Sequence, residues 1–185
     1  MEYPNNDGHH PGLQILMQLN IGLDSEVRHS VLELLNLALA DEMVLTTKSR
    51  GAQWNVRGAD FLLLHTLFKT QYQLLNNISD EIAERARMLG GMALGSLQES
   101  LDLTRLEESP GEAADVLHLL ADHEMVIRSM REAAKKCSQD YEDEGTSELL
   151  VSGMRKHEKM AWTLRSYLGT NPHRGAAACS DGHGR

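Results

Sequence analysis

With 185 residues, 41% of them hydrophobic and 4% aromatic, the chain is the size of one domain that can bury a core, which argues against a disordered scaffold. A formal net charge of −9 disfavours binding to a phosphate backbone and favours attraction of cations. No apolar run reaches the ~18 residues a membrane helix needs, and the opening MEYPNNDGHH has neither the basic nor the apolar region of a secretory signal. Cys137 and Cys179 are too few for a disulfide framework and read as reduced thiols of a cytoplasmic protein.

Residues 1–24, rich in Asn, Gly and His, read as a loosely ordered arm. Gly12 to Ser109 contain no proline and abound in Leu, Ala, Glu, Met and Gln, a helical profile. Asp24 or Ser25 can cap a first helix, which runs through Val31, Leu34, Leu35, Ala38, Leu39 and Leu45 until Gly58 breaks it. Asp60 can cap a second. Its apolar marks (Phe61, Leu64, Phe68, Tyr72, Leu75, Ile78, Ile82, Ala86 and Leu89) step by three and four until Gly90 and Gly91 stop it. The link from Met92 to Gly111 has room for a short helix, Ser96 to Asp102.

A third long helix is expected over about 111–138, marked by Val116, Leu117, Leu120, Ile127, Met130 and Ala134. After an acidic turn, Thr146 is the expected cap of a fourth, carrying Leu149, Leu150, Met154, Ala161, Leu164 and Leu168. Gly169, Asn171 and Pro172 end it, and residues 170–185 read as a disordered tail. The expectation for 25–169 is an all-α four-helix bundle with one long crossover.

Gln53 and His65 lie six residues either side of Ala59, the middle of the first hairpin, so antiparallel helices can bring them together. Asp80 and Glu84 are four apart on one face of the second helix, a hard anionic pair suited to a divalent cation. A solvated helix face beside Arg85 and Arg87 carries such pairs too, and a lone helical His is commonly a hydrogen-bonded residue. Asp80 lies fifteen residues beyond His65, which on a straight helix is roughly 22 Å. Metal–ligand bonds of about 2.0–2.2 Å cannot bridge that gap. If the two cooperate, a second copy of the chain supplies one half, and a two-fold axis then makes two equivalent sites.

The segments LADEMVLTTKSRGAQWNVRGADFLLLH and SDEIAERARMLGG, with LLADHEMVIRSMRE, DEGTSELL and HEKMAWTLRSYL further on, resemble the Dps family, the ferritin-like DNA-binding proteins from starved cells. The resemblance covers roughly residues 30–168. It implies a dodecameric shell of four-helix subunits for iron storage and detoxification. Such a shell acts as a ferroxidase, an oxidoreductase that takes ferrous iron to ferric with O2 or H2O2 at a two-fold interface. Carried over by position, the family's metal ligands fall on Gln53, His65 and Lys69 of one chain and on Asp80 and Glu84 of its neighbour. Two depart from the pattern, since Gln53 stands in place of a His and Lys69 in place of an acid. An amide oxygen is a weak neutral ligand and an ammonium repels a cation. The catalytic set implied is then His65, Asp80 and Glu84, sufficient for one divalent ion.

Three versions of that site stay open. It is a mononuclear or weakly dinuclear iron centre, a redox-idle cage in which Lys69 neutralises the acids, or a centre with a replacement ligand and another metal such as zinc. Asp41, Glu42 and Lys48 are candidates for such a ligand. The resemblance also implies acidic three-fold pores at Asp143, Glu144 and Glu148, although acids there suit a helix N-terminus equally. Asp115, His118 and Asp122 step at helical spacing as a surface metal site or a solvated stripe. Trp54 and Trp162 fit radical sinks or core packing, and His9, His10, Cys179 and His183 could take metal adventitiously. A DNA-protecting shell without ferroxidase activity is the alternative function. Yet residues 1–24 hold no Lys or Arg, and 170–185 only Arg174 and Arg185, so DNA binding is not expected.

Overall fold

The computed structural model describes residues 19–170. Most of the expected arm and tail lies outside the described residues, as do His9, His10, Cys179 and His183. The described residues form five helices and no strand: α1 Ser25–Asn55, α2 Phe61–Met88, α3 Leu97–Leu103, α4 Val116–Gln139 and α5 Glu144–Thr170. The all-α expectation therefore holds. None of these helices is long and apolar enough to cross a membrane.

α1 packs chiefly on α2, and α4 on α5, making two hairpins that close through α1–α4 and α2–α5 contacts. Leu32, Leu35 and Leu45 of α1 meet Leu75, Ile78 and Ile82 of α2, Leu119 and Met130 of α4, and Leu150 and Leu164 of α5 in one fully buried core. Each such side chain contributes about 1.5–3 kcal/mol when taken from water.

Two helix starts differ from expectation. α4 begins at Val116, because Asp115 is its cap and accepts from the His118 amide at 2.9 Å, while Gly111 turns the chain with φ +89°. The cap of α5 is Asp143, whose Oδ1 accepts from the Thr146 amide at 2.9 Å, so Thr146 is a capped residue. The inward stripe of α4 also shifts. It runs through Val116, Leu119, His123, Val126, Met130, Ala133 and Cys137, leaving Leu117 half exposed. The short α3 forms as expected, with Ser96 and Glu99 closing a reciprocal capping box.

The long link over the bundle is tied down by buried polar groups of α1. Asn36 donates to the Met92 carbonyl and accepts from the Leu94 amide. Asp41 accepts from Thr104 and from the Arg105 amide, and forms an ion pair with the Arg105 guanidinium. Arg28 donates to the Leu89 carbonyl at the end of α2. Here Gly91 is required, since a Cβ would lie 2.3 Å from a Leu32 methyl carbon.

Candidate metal centre

Gln53 is buried at the end of α1, and His65, half-buried, sits one turn into α2. The hairpin brings them together, with Nε2 of Gln53 2.8 Å from Nε2 of His65 and Nδ1 of His65 3.1 Å from the Gln53 carbonyl oxygen. A carbonyl only accepts, so Nδ1 carries the ring proton and Nε2 accepts from the Gln53 amide. The Phe61 ring, 5.1 Å from the imidazole between centroids, packs beside it.

Lys69, Asp80 and Glu84 are exposed on α2, and among the described residues none of them has an ion-pair partner. The nearby arginines are occupied elsewhere. Arg85 donates to Thr146 and pairs with Asp143 at 2.7 Å, while Arg87 donates to the Gly91 carbonyl. Asp80 and Glu84 therefore keep their charge available at the surface. Around the hairpin, Trp54 (70% exposed), Phe61, Leu62 and Leu63 present apolar surface. Trp54 and Trp162 are thus exposed, and core packing does not account for either. Among the described residues, no three His, Cys, Asp or Glu side chains of this one chain surround a point that could hold a metal ion.

The other candidates have partners of their own. Asp41 is taken by Thr104 and Arg105, and Lys48 by Asp122 at 2.6 Å and the Glu107 carbonyl. That pairing splits the Asp115, His118, Asp122 stripe, whose first two members bond to each other at 2.8 Å. Burial pushes the Asp122 carboxyl up, an effect that Lys48 opposes. Asp143 is buried, and its oxygens serve Arg85, the Thr146 amide and the Thr146 hydroxyl. Glu144 and Glu148 are exposed, Glu144 accepting from Ser138.

Sequence reasoning passed over one constellation. Glu42 of α1, His157 of α5 and His123 of α4 form a hydrogen-bonded row inside the bundle, all three 0% exposed. The sequence offers Glu42 only as a replacement ligand for the interface centre. The available signal was periodic for the two histidines, each of which stands among apolar inward positions of its helix, whereas Glu42 lies on a face of α1 that also buries Asn36, Asp41, Thr46 and Ser49.

Comparison with known proteins places this architecture. A model of the ferritin-like domain matches residues 32–172. An uncharacterized low temperature-induced protein of Nostoc sp. is 38% identical over 159 residues, covering 84% of this chain and 89% of that one. DNA protection during starvation protein 2 of Bacillus anthracis is 36% identical, covering 75% of this chain and 96% of its own length. Among solved structures, DpsC from Streptomyces coelicolor superposes with a TM-score of 0.80 at 29% identity, covering 88% of this chain and 96% of that one. The Dps protein of Vibrio cholerae O1, described as a member of a superfamily of ferritin-like diiron-carboxylate proteins, gives 0.76 at 28% identity, covering 82% and 98%. Helix order, bundle topology and these matches agree, and the chain belongs to the Dps family of ferritin-like proteins.

Proposed function

We propose that this protein is an iron-storing and iron-detoxifying shell that oxidises its ferrous cargo where two copies of the chain meet. His65 of one copy, with Asp80 and Glu84 of its neighbour, binds the ferrous ion. Family membership supports a dodecameric assembly. The observation that carries the reading is the exposed Asp80 and Glu84 pair, left without a cation while Arg85 and Arg87 bond elsewhere. The apolar rim of Trp54, Phe61 and Leu62 offers a neighbouring chain surface to cover. Two carboxylates and an imidazole match the donor set that a ferrous ion accepts.

At this centre each ferrous ion gives one electron to O2 or H2O2. The chain's own groups fix how the ion is received. Nε2 of His65 carries the ring's lone pair, since Nδ1 donates to the Gln53 backbone carbonyl, so the ion competes with the Gln53 amide for it. Lys69, one turn beyond His65, opposes a second cation and restricts the site to one ion. Exposed Glu144 and Glu148, with Asp143 behind them, are the acids proposed to line the pores that admit iron.

The test is ferric absorbance after adding ferrous iron to purified protein under air or peroxide. It should develop faster than in buffer, and Glu84→Ala should remove the advantage while leaving the melting temperature in place. Equal rates with and without protein would leave a storage cage without catalysis, and loading with zinc would then report the resident metal.

A further inference from the structure

The row inside the bundle joins three helices. Oε1 of Glu42 on α1 lies 2.7 Å from Nε2 of His157 on α5, and Nδ1 of His157 lies 2.9 Å from Nδ1 of His123 on α4. A carboxylate only accepts, so Nε2 of His157 carries a proton and donates it to Glu42. The facing Nδ1 atoms share a direct N–H···N hydrogen bond, one nitrogen donating and the other accepting. One hydrogen fits between them. If it belongs to His123, Nε2 of His123 is a bare lone pair; if it belongs to His157, Nε2 of His123 carries the N–H. In either case Nε2 of His123 is buried without a hydrogen-bond partner.

Acid breaks this arrangement. When both histidines are imidazolium, every ring nitrogen carries a hydrogen, and two N–H groups meet head to head across 2.9 Å. The N–H at Nε2 of His123 then has no acceptor, and the one Glu42 carboxylate offsets only one of the two cations. The charged residues beside the row are committed elsewhere. On α1, Asp41 pairs with Arg105 and Lys48 with Asp122 of α4; Glu124 of α4 pairs with Arg165; on α5, Lys156 pairs with Glu81 of α2 and Glu158 with Arg131. The buried face of α2 brings Gln71 and no titratable side chain, and that of α3 brings Ser100. Burial and the neighbouring His157 hold the His123 imidazole well below the usual histidine range. An opened chain takes the proton that the folded row refuses, so stability is lost as pH falls below 6.5, the ordinary histidine value.

We propose that Glu42, His157 and His123 form an acid-released latch, in which protonation of both histidines parts α4 from α5 where the two rings meet. Near neutral pH the row fastens α1, α4 and α5 to one another, and in acid the same imidazoles repel. The latch does not rest on the function proposed above, since none of its three members is a ligand of that centre. His123 accounts for one proton of difference between the folded and opened states. The opening constant therefore rises about tenfold for each pH unit below 6.5 on its account alone.

The experiment follows deuterium exchange of the α4 and α5 amides in the full-length protein between pH 6.5 and about pH 5, each rate divided by that of the unfolded chain at the same pH. His123→Asn is the reference, because its amide keeps a donor near the place of Nδ1 and takes up no proton. The expected result is that the opening constant of the native protein climbs about tenfold per pH unit relative to that of His123→Asn. Where light scattering shows that His123→Asn does not assemble, His123→Leu takes its place. Parallel profiles of native protein and variant overturn the proposal. So does a native profile that stays flat over this range, or one that steepens in α1 and α2 while α4 and α5 remain protected.

Discussion

Nε2 of Gln53 sits 2.8 Å from Nε2 of His65, so the nitrogen through which His65 can reach a metal is already hydrogen-bonded within its own chain. An incoming ferrous ion has to displace an amide that binds it poorly. The double substitution Gln53→His and Lys69→Asp replaces a competing donor with a ligand and removes a repelling charge. Stopped-flow ferric absorbance should then rise severalfold faster. A slower variant would show that the native pair works constructively in the site.

Asp143 is predicted to matter chiefly for stability. It caps α5, pairs with Arg85 and accepts from the Thr146 hydroxyl from a buried position. Asp143→Ala removes the cap and leaves Arg85 and Thr146 short of a partner, at a cost of about 2–4 kcal/mol. Calorimetry should show the melting temperature lowered by about 5–10 °C. If the melt is unchanged and iron uptake is slowed, the carboxylate serves the pore and not the fold.

Cys137 supplies the pH dependence. Burial, with Asp143 adding to it against Arg85, pushes the thiol from 9.0 to about 12. Between those values the unfolded chain has released the proton and the folded chain has kept it, so stability falls as pH rises from 9.0 towards about 12. Cys137→Ala should flatten that decline in denaturant titrations. Thiol reagents at pH 9 should reach Cys137 only on unfolding.

DNA retention is predicted to be absent. The chain carries −9, and residues 1–24 hold no Lys or Arg. A gel shift with linear duplex at physiological salt should show no retarded band. Retardation that survives a chelator would place a basic surface where the sequence shows none.

The fold was legible where period and punctuation agreed. α2 steps regularly between Asp60 and Gly90, and the length of the link from Met92 to Gly111 called for the short helix that α3 supplies. The start of α4 was not, because Gly111 to Ala114 can join a helix in composition while the Asp115 side chain decides where the amides are first satisfied. At the candidate centre, the Gln53–His65 contact followed from hairpin symmetry. The Glu42–His157–His123 row did not, since its members are 115 and 34 residues apart and only tertiary packing joins them. On α4, Asp122 and Glu124 flank His123 and disguise a core position as a polar stretch.

The hold of Asn36 and Asp41 on the link above the bundle has a dynamic consequence. The amides of Leu94 and Arg105 lie outside any helix, yet each is claimed by a buried side chain of α1. In deuterium exchange they should be as slow as helix-interior amides, so this strap opens only when α1 itself opens. Asn36→Ala should release the Leu94 amide first, turning a fixed strap into one that breathes on its own.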